Sequence, residues 1–138
     1  MKTIQQGNPN LFGAIKDSPR RVVIDPKEAA VEYCEAAYPE TCKMFKEIMA
    51  DQYILFCKKQ KNYGPSNISV GTNLTTNEDV KLSLTGLWFR VNDKVQRLKQ
   101  LIILGHNDEV GESEIDTFQD LSVYGIIAQI VSAKVWGK

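Results

Sequence analysis

Two aspartates near the C-terminus, Asp116 and Asp120, stand four residues apart and lead into Val123, Ile127 and Ile130 at spacings of 3, 4 and 3. On a helix these positions share one stripe, so two carboxylates begin a face that continues as core. A carboxylate turned into a helical bundle is costly unless it is paired or binds a cation. Asp116 and Asp120 are therefore candidate metal ligands or substrate contacts. The simpler explanation, acidic residues opposing a helix macrodipole in the first turn, suits Glu112 and Glu114. It fits Asp120 badly, more than a turn further in.

A second polar stripe, Gly86, Arg90, Asp93 and Arg97 at spacings of 4, 3 and 4 with Lys94 beside it, offers guanidinium forks of the kind that grip phosphate oxygens. Glycine in mid-helix costs about 1 kcal/mol relative to alanine and usually marks close approach by a ligand or another backbone, which is the expectation for Gly86. The same charges also fit a solvated face laced with i,i+4 pairs. Glu47 and Asp51, one helical turn apart, could give two oxygens to a hard cation such as Mg²⁺. Lys59 and Lys61 flank a turn that ends in Tyr63, where a base could stack while a lysine meets phosphate; the plainer role for Tyr63 is a hydrophobic plug. His106 is the only histidine and lies beside no nucleophile motif, and no GxGxxG, P-loop, HExxH or GxSxG spacing occurs.

The elements that would position these groups are helical. Asp25 before Pro26 reads as a helix start, giving a helix to about Tyr38, and Pro39 begins a second to about Asn62. The second is apolar beyond one stripe and is expected to pack on two sides. Tyr63-Gly64-Pro65-Ser66-Asn67 breaks it, and residues 68–76 read as a loop, with at most a brief extended segment. Asn77 is expected to cap a third long helix, whose positions Val80, Leu84, Leu87, Val91, Val95, Leu98 and Ile102 carry it to Leu104 before Gly105. A last helix is expected over residues 112–136. The fold class is all-α, a bundle of about four helices over residues 26–138 as a single domain. Residues 1–25 form an arm in which Val22–Ile24 is a lone strand or an extended segment.

Lys plus Arg and Asp plus Glu both total 17, so no net charge draws the chain non-specifically to nucleic acid or an acidic membrane. No run approaches a membrane span and the first residues lack the apolar core of a signal peptide, so no membrane partner is expected and the location is cytoplasmic. Cys34, Cys42 and Cys57 are odd in number without CxxC spacing and read as small core residues in a reducing compartment. Trp88 and Trp136 read as core or interface aromatics.

Three blocks together resemble a known family. Lys61-Asn62-Tyr63-Gly64, then Arg90 to Leu98 (RVNDKVQRL), then Glu114 to Tyr124 (EIDTFQDLSVY) resemble the KNxDYG, RxxDKxxRL and EDTLxDLxNY pattern of the first nucleotide-modification-associated domain. That small helical family is common in bacteriophages and related to the MazG-like nucleoside triphosphate pyrophosphohydrolases. The resemblance spans about residues 47–134. It implies a MazG-like bundle, a homo-oligomer (dimer or higher), that binds nucleotide phosphates through Mg²⁺ on helix carboxylates, in the host cytoplasm if phage-encoded. Asp120 matches the Asp of the second MazG block, ExxD. The Glu of that block is Thr117 here, with Asp116 one residue earlier, and in the first block, ExxE, Glu47 and Asp51 are four apart instead of three.

The function expected from residues and resemblance together is a Mg²⁺-dependent pyrophosphohydrolase-like protein acting on nucleotides in phage nucleotide metabolism or base modification. Glu47, Asp51 and Asp120 would be catalytic; Glu47, Asp51, Asp116 and Asp120 would hold metal; Lys59, Lys61, Tyr63, Arg90, Asp93, Lys94 and Arg97 would bind substrate. The alternative is a nucleotide binder without turnover, a sponge for a signalling nucleotide or an accessory factor in base modification. A helical interaction module without a nucleotide site is the third.

Overall fold

The structure, a computed structural model, describes residues 25–138; of the expected N-terminal arm only Asp25 is among them, and the Val22–Ile24 segment lies outside the described residues. Every regular element described is helical, so the fold is all-α as the periodicities require: α1 (Pro26–Ala37), α2 (Pro39–Tyr63), α3 (Ser66–Ser69), α4 (Asn77–Leu98), a π-helical turn (Lys99–Ile103) and α5 (Glu114–Ser132). The chain divides into two compact units, Met1–Cys42 and Lys43–Lys138, with the boundary inside α2.

In the first unit Asp25 caps α1 as expected, its Oδ1 accepting from Lys27 N at 2.8 Å with Pro26 at the first helical position. Tyr38 leaves the helix at φ −135°, and Pro39, whose ring disfavours a helical residue before it, begins α2. No side chain of α1 is buried. Cys34 is exposed and Cys42 half-buried; in the second unit Cys57 is exposed too. The cysteines are not core residues: Cys57 sits one position, about 100°, round α2 from Phe56, which packs against the core.

The core lies in the second unit and is small: Ile68, Leu74, Leu87, Ile127, Val131 and Trp136, with Phe56, Val80, Leu84, Val123, Tyr124, Ala128 and Ile130 against it. The α4–α5 pair is its main frame. Gly64, at φ +66°, ends α2 in the left-handed region that glycine enters without strain. The next residues differ from the expected loop, because Ser66–Ser69 close one helical turn. Ile68 and Ser69 of that turn are buried, and Ser83 Oγ donates to Ile68 O at 2.6 Å. Val70 follows at φ +53°, a conformation costly for a β-branched residue. Its N–H bonds Ser66 O, and fully buried Leu74 anchors the segment on its other side.

Helix α4 is capped by Thr76, not Asn77: Thr76 Oγ1 accepts from Asp79 N while the Asp79 carboxylate accepts from Thr76 N. Beyond Leu98 the expected α-turns give way to the π-turn, with Leu104 N bonding Lys99 O five residues back, and Gly105 leaves at φ +68°. The extra residue per turn displaces the apolar stripe beyond Leu98, where Ile102 is about half exposed; Val95, still within α4, is exposed to the same extent. Helix α5 begins two residues later than expected and stops at Ser132, four short of Trp136. Trp136 folds back instead, its indole N–H donating to Pro65 O at 3.0 Å and its ring meeting Phe56 edge-on at 6.0 Å. Trp136 is thus core, whereas Trp88 is 60% exposed. The expectation that α2 packs on two sides also fails within this chain: none of its residues is buried, and Phe45, Ile48, Met49 and Tyr53 stand exposed.

Candidate functional site

The buried face of α5 runs Thr117, Asp120, Tyr124, Ile127, Val131, at spacings of 3, 4, 3 and 4, with Asp120 and Tyr124 half-buried among buried neighbours. Asp120 belongs to this face as expected from its stripe. Asp116 does not. Its carboxylate closes a capping box, accepting from Ser113 N at 3.2 Å and Ser113 Oγ at 2.8 Å, while Ser113 Oγ accepts from Asp116 N. Thr117 occupies the interior position beside it.

Lys94, on α4, brings its ammonium to 2.9 Å from Asp120 Oδ2 and 2.9 Å from Glu112 Oε1. Lys59, on α2, meets the other oxygen of Asp120 at 3.4 Å. Each carboxylate oxygen of Asp120 therefore faces a different cation. The hydrogen bond to Asp120 and then that to Glu112 raise the Lys94 pKa above its ordinary value, against a smaller opposing effect of burial.

One turn along α4, Arg97 fastens the segment before α5. It bonds Asp108 at 3.1 Å, donates to the Glu112 carbonyl and the Thr117 hydroxyl, and lies 3.7 Å from the Glu112 carboxylate. Its fork is filled by protein groups. Arg90, two turns back, gives Nη2 to Asn67 O at 2.9 Å and so ties α4 to α3.

These elements enclose a cleft of about 340 Å³, within the range of small-ligand sites. Lys59, Arg90 and Asp120 supply charge to its wall, and Phe56, Tyr63 and Tyr124 supply rings. The structure thus brings Lys59, Tyr63, Arg90 and Asp120 to one cavity and sets Lys94 against Asp120. It does not bring Glu47, Asp51, Lys61, Asp93 or Asp116 there. Glu47 and Asp51 are exposed on a stripe turned well away from Gln52, Phe56 and Lys59, the α2 residues that meet α5 or the core, with Glu47 about 180° round the helix from Phe56. Asp93 and Lys61 are exposed as well.

A resident Mg²⁺ needs several oxygens in octahedral array. The donor set does not suit one: the oxygens of Asp120 face lysines, Asp116 is committed to its cap, and among the described residues no three Asp, Glu, His or Cys side chains gather. Sequence reasoning assigned Glu112 to the helix dipole alone and passed over Asn67, Gln119 and Tyr124. The spacing that would have found Tyr124 is the 3-4-3-4 run from Thr117; nothing marks Asn67 in a turn-forming pentapeptide. Compared with family models, with curated proteins and with solved structures, the chain matches none of them.

Proposed function

We propose that the chain binds a nucleotide in the cleft between α2, α3, α4 and α5. The observation that carries this reading is the meeting of two cations, Lys59 and Arg90, with three aromatic rings, Phe56, Tyr63 and Tyr124, around a space of about 340 Å³. Lys59 and Arg90 suit phosphate oxygens, the rings suit a base, and the three sequence blocks that resemble the nucleotide-modification-associated domain contribute Tyr63, Arg90 and Asp120 to this wall. A divalent cation would enter with the phosphates rather than wait on a carboxylate cage. Lys94 would act through Asp120, holding it in place.

Two versions differ in turnover. In the enzymatic one a MazG-like pyrophosphohydrolase would cleave between the α and β phosphates, Asp120 orienting the water that displaces pyrophosphate; a Mg²⁺ arriving with the nucleotide would offset phosphate charge. In the other the protein binds without turnover, as a sponge for a signalling nucleotide or an accessory factor in base modification. The pairing of both Asp120 oxygens with Lys59 and Lys94 favours binding without turnover. So does Thr117 at the Glu position of ExxD, where a buried hydroxyl accepts from Arg97. A homo-oligomer belongs to the same proposal: the exposed Phe45, Ile48, Met49 and Tyr53 of α2 are the surface on which a second copy would pack.

The test is a panel of nucleoside mono-, di- and triphosphates, with Mg²⁺ and with chelator, read both as thermal stabilisation and as pyrophosphate release. Stabilisation by nucleotides, lost in Lys59→Ala and Arg90→Ala, supports the cleft; release of pyrophosphate selects the enzyme. A panel in which no nucleotide moves the melting temperature or is consumed overturns the reading.

A further inference from the structure

The cleft wall contains one buried polar atom that the fold does not satisfy. Asn67 lies in α3, lines the cleft beside Arg90 and Ile68, and its side-chain Oδ1 is shielded from solvent with no hydrogen-bond partner, alone in this among the described residues. Leaving such an acceptor unmet costs folding free energy. Its neighbours do not relieve it: the Arg90 guanidinium bonds the backbone carbonyl of Asn67, not the side chain, and Ser83 bonds the next carbonyl, that of Ile68. The turn is locked at its main chain while the carboxamide end is left over. Its χ2 torsion is broad, so the torsion itself does not oppose rotation of the amide.

An amide oxygen repels phosphate oxygens and seeks an N–H. The nearby Asp120 carboxylate has the same preference, whereas Lys59 and Arg90 have the opposite one. We infer that Asn67 is a specificity residue of the cleft, whose carboxamide oxygen accepts a hydrogen bond from an exocyclic amino group of the bound base. This inference rests on the nucleotide reading above and names the base class within it: amino-bearing bases, adenine, cytosine or guanine. A site with an unmet acceptor rejects a ligand that brings no donor far more strongly than an apolar wall rejects one with an extra group.

The test uses three ligand pairs that differ only in that amine: adenosine 5′-monophosphate against purine riboside 5′-monophosphate, cytidine 5′-monophosphate against its 2-pyrimidinone analogue, and guanosine 5′-monophosphate against inosine 5′-monophosphate. Calorimetric affinities for the unaltered protein should favour the amino-bearing member of at least one pair by about tenfold or more, which corresponds to about 1.4 kcal/mol. Asn67→Leu should abolish that preference, and Asn67→Asp, which keeps an acceptor, should retain it. Equal affinity within all three pairs in the unaltered protein overturns the role of Asn67 and leaves the nucleotide reading standing. No binding by any of the six monophosphates overturns the Asn67 role; the nucleotide reading then falls only if the wider panel is silent too. If Asn67→Leu does not fold, Asn67→Ala, which also removes the acceptor, takes its place, and a preference that survives the loss of the acceptor overturns the role.

Discussion

Lys94 and Asp120 meet across the α4–α5 pair at 2.9 Å, and because the same ammonium is 2.9 Å from Glu112, one cation holds together two carboxylates that would otherwise repel. The side chains of Lys94 and Asp120 are each only about a fifth exposed (21% and 22%), so water screens them weakly.

Replacing Lys94 by Met should therefore destabilise the protein by about 1–2 kcal/mol, between the values typical of exposed and fully buried pairs. Adding Asp120→Asn should recover part of the loss, since one of the opposed charges is removed. The pH dependence has a defined sign. The folded-state pKa of Lys94 is raised, so its contribution is fully present below the unfolded value of about 10.4 and is lost as pH rises through the higher folded value. Denaturant melts of the unaltered protein and Lys94→Met should differ by a constant amount from pH 6 to 9 and converge above about pH 10.5. Convergence already at neutral pH would show that the pair contributes nothing.

The parts of the fold written in helical periodicity were legible in the sequence. The Asp25-Pro26 cap, the Pro39 restart, the break at Gly64 and the stripe Val80, Leu84, Leu87 all stand in the structure. What periodicity could not show was which of two adjacent faces a third element would cover. On α2 the carboxylates Glu47 and Asp51 lie on another side of the helix from Phe56 and Lys59, and only the tertiary arrangement decides which set meets the cleft. The π-turn at Lys99–Ile103 and the return of Trp136 to Pro65 likewise depend on partners far along the chain. The assignment of Asp116 was different, because its local signal was present: Ser113-Glu114-Ile115-Asp116 repeats the capping spacing of Thr76-Asn77-Glu78-Asp79.

That signal separates the two aspartates of α5 in experiment. Ser113→Ala should lower stability by about 1 kcal/mol and Asp116→Asn by a few tenths, with stabilisation by nucleotide unchanged in both. Asp120→Asn should weaken nucleotide-induced stabilisation, because its carboxylate lines the cleft and orders Lys59. Thermal shifts with and without the best nucleotide of the panel provide the comparison. Loss of ligand response in Asp116→Asn, at undiminished stability, would place that carboxylate back in the site.

Arg97 governs the segment from Gly105 to Ser113, and its role depends on being arginine. One guanidinium reaches the Asp108 carboxylate, the Glu112 carbonyl and the Thr117 hydroxyl at once, directions that a lysine ammonium on a flexible stem does not span. Arg97→Lys keeps the charge and should nevertheless cost about 1–3 kcal/mol, because fully buried Thr117 and the Glu112 carbonyl lose a donor. Thr117→Val, close in shape, should return some of that loss, since it removes a hydroxyl left with only its 3.5 Å bond to Ser113 O. The local consequence is more diagnostic than the global one. Hydrogen exchange should accelerate first at amides held by this segment's own bonds, such as Val110, whose N–H donates to Asp108 Oδ1 at 3.3 Å, while Leu87 and Val131 keep their protection. Uniform acceleration across α4 and α5 would instead mean that Arg97 supports the helix pair as a whole, and that the segment has no independent attachment to lose.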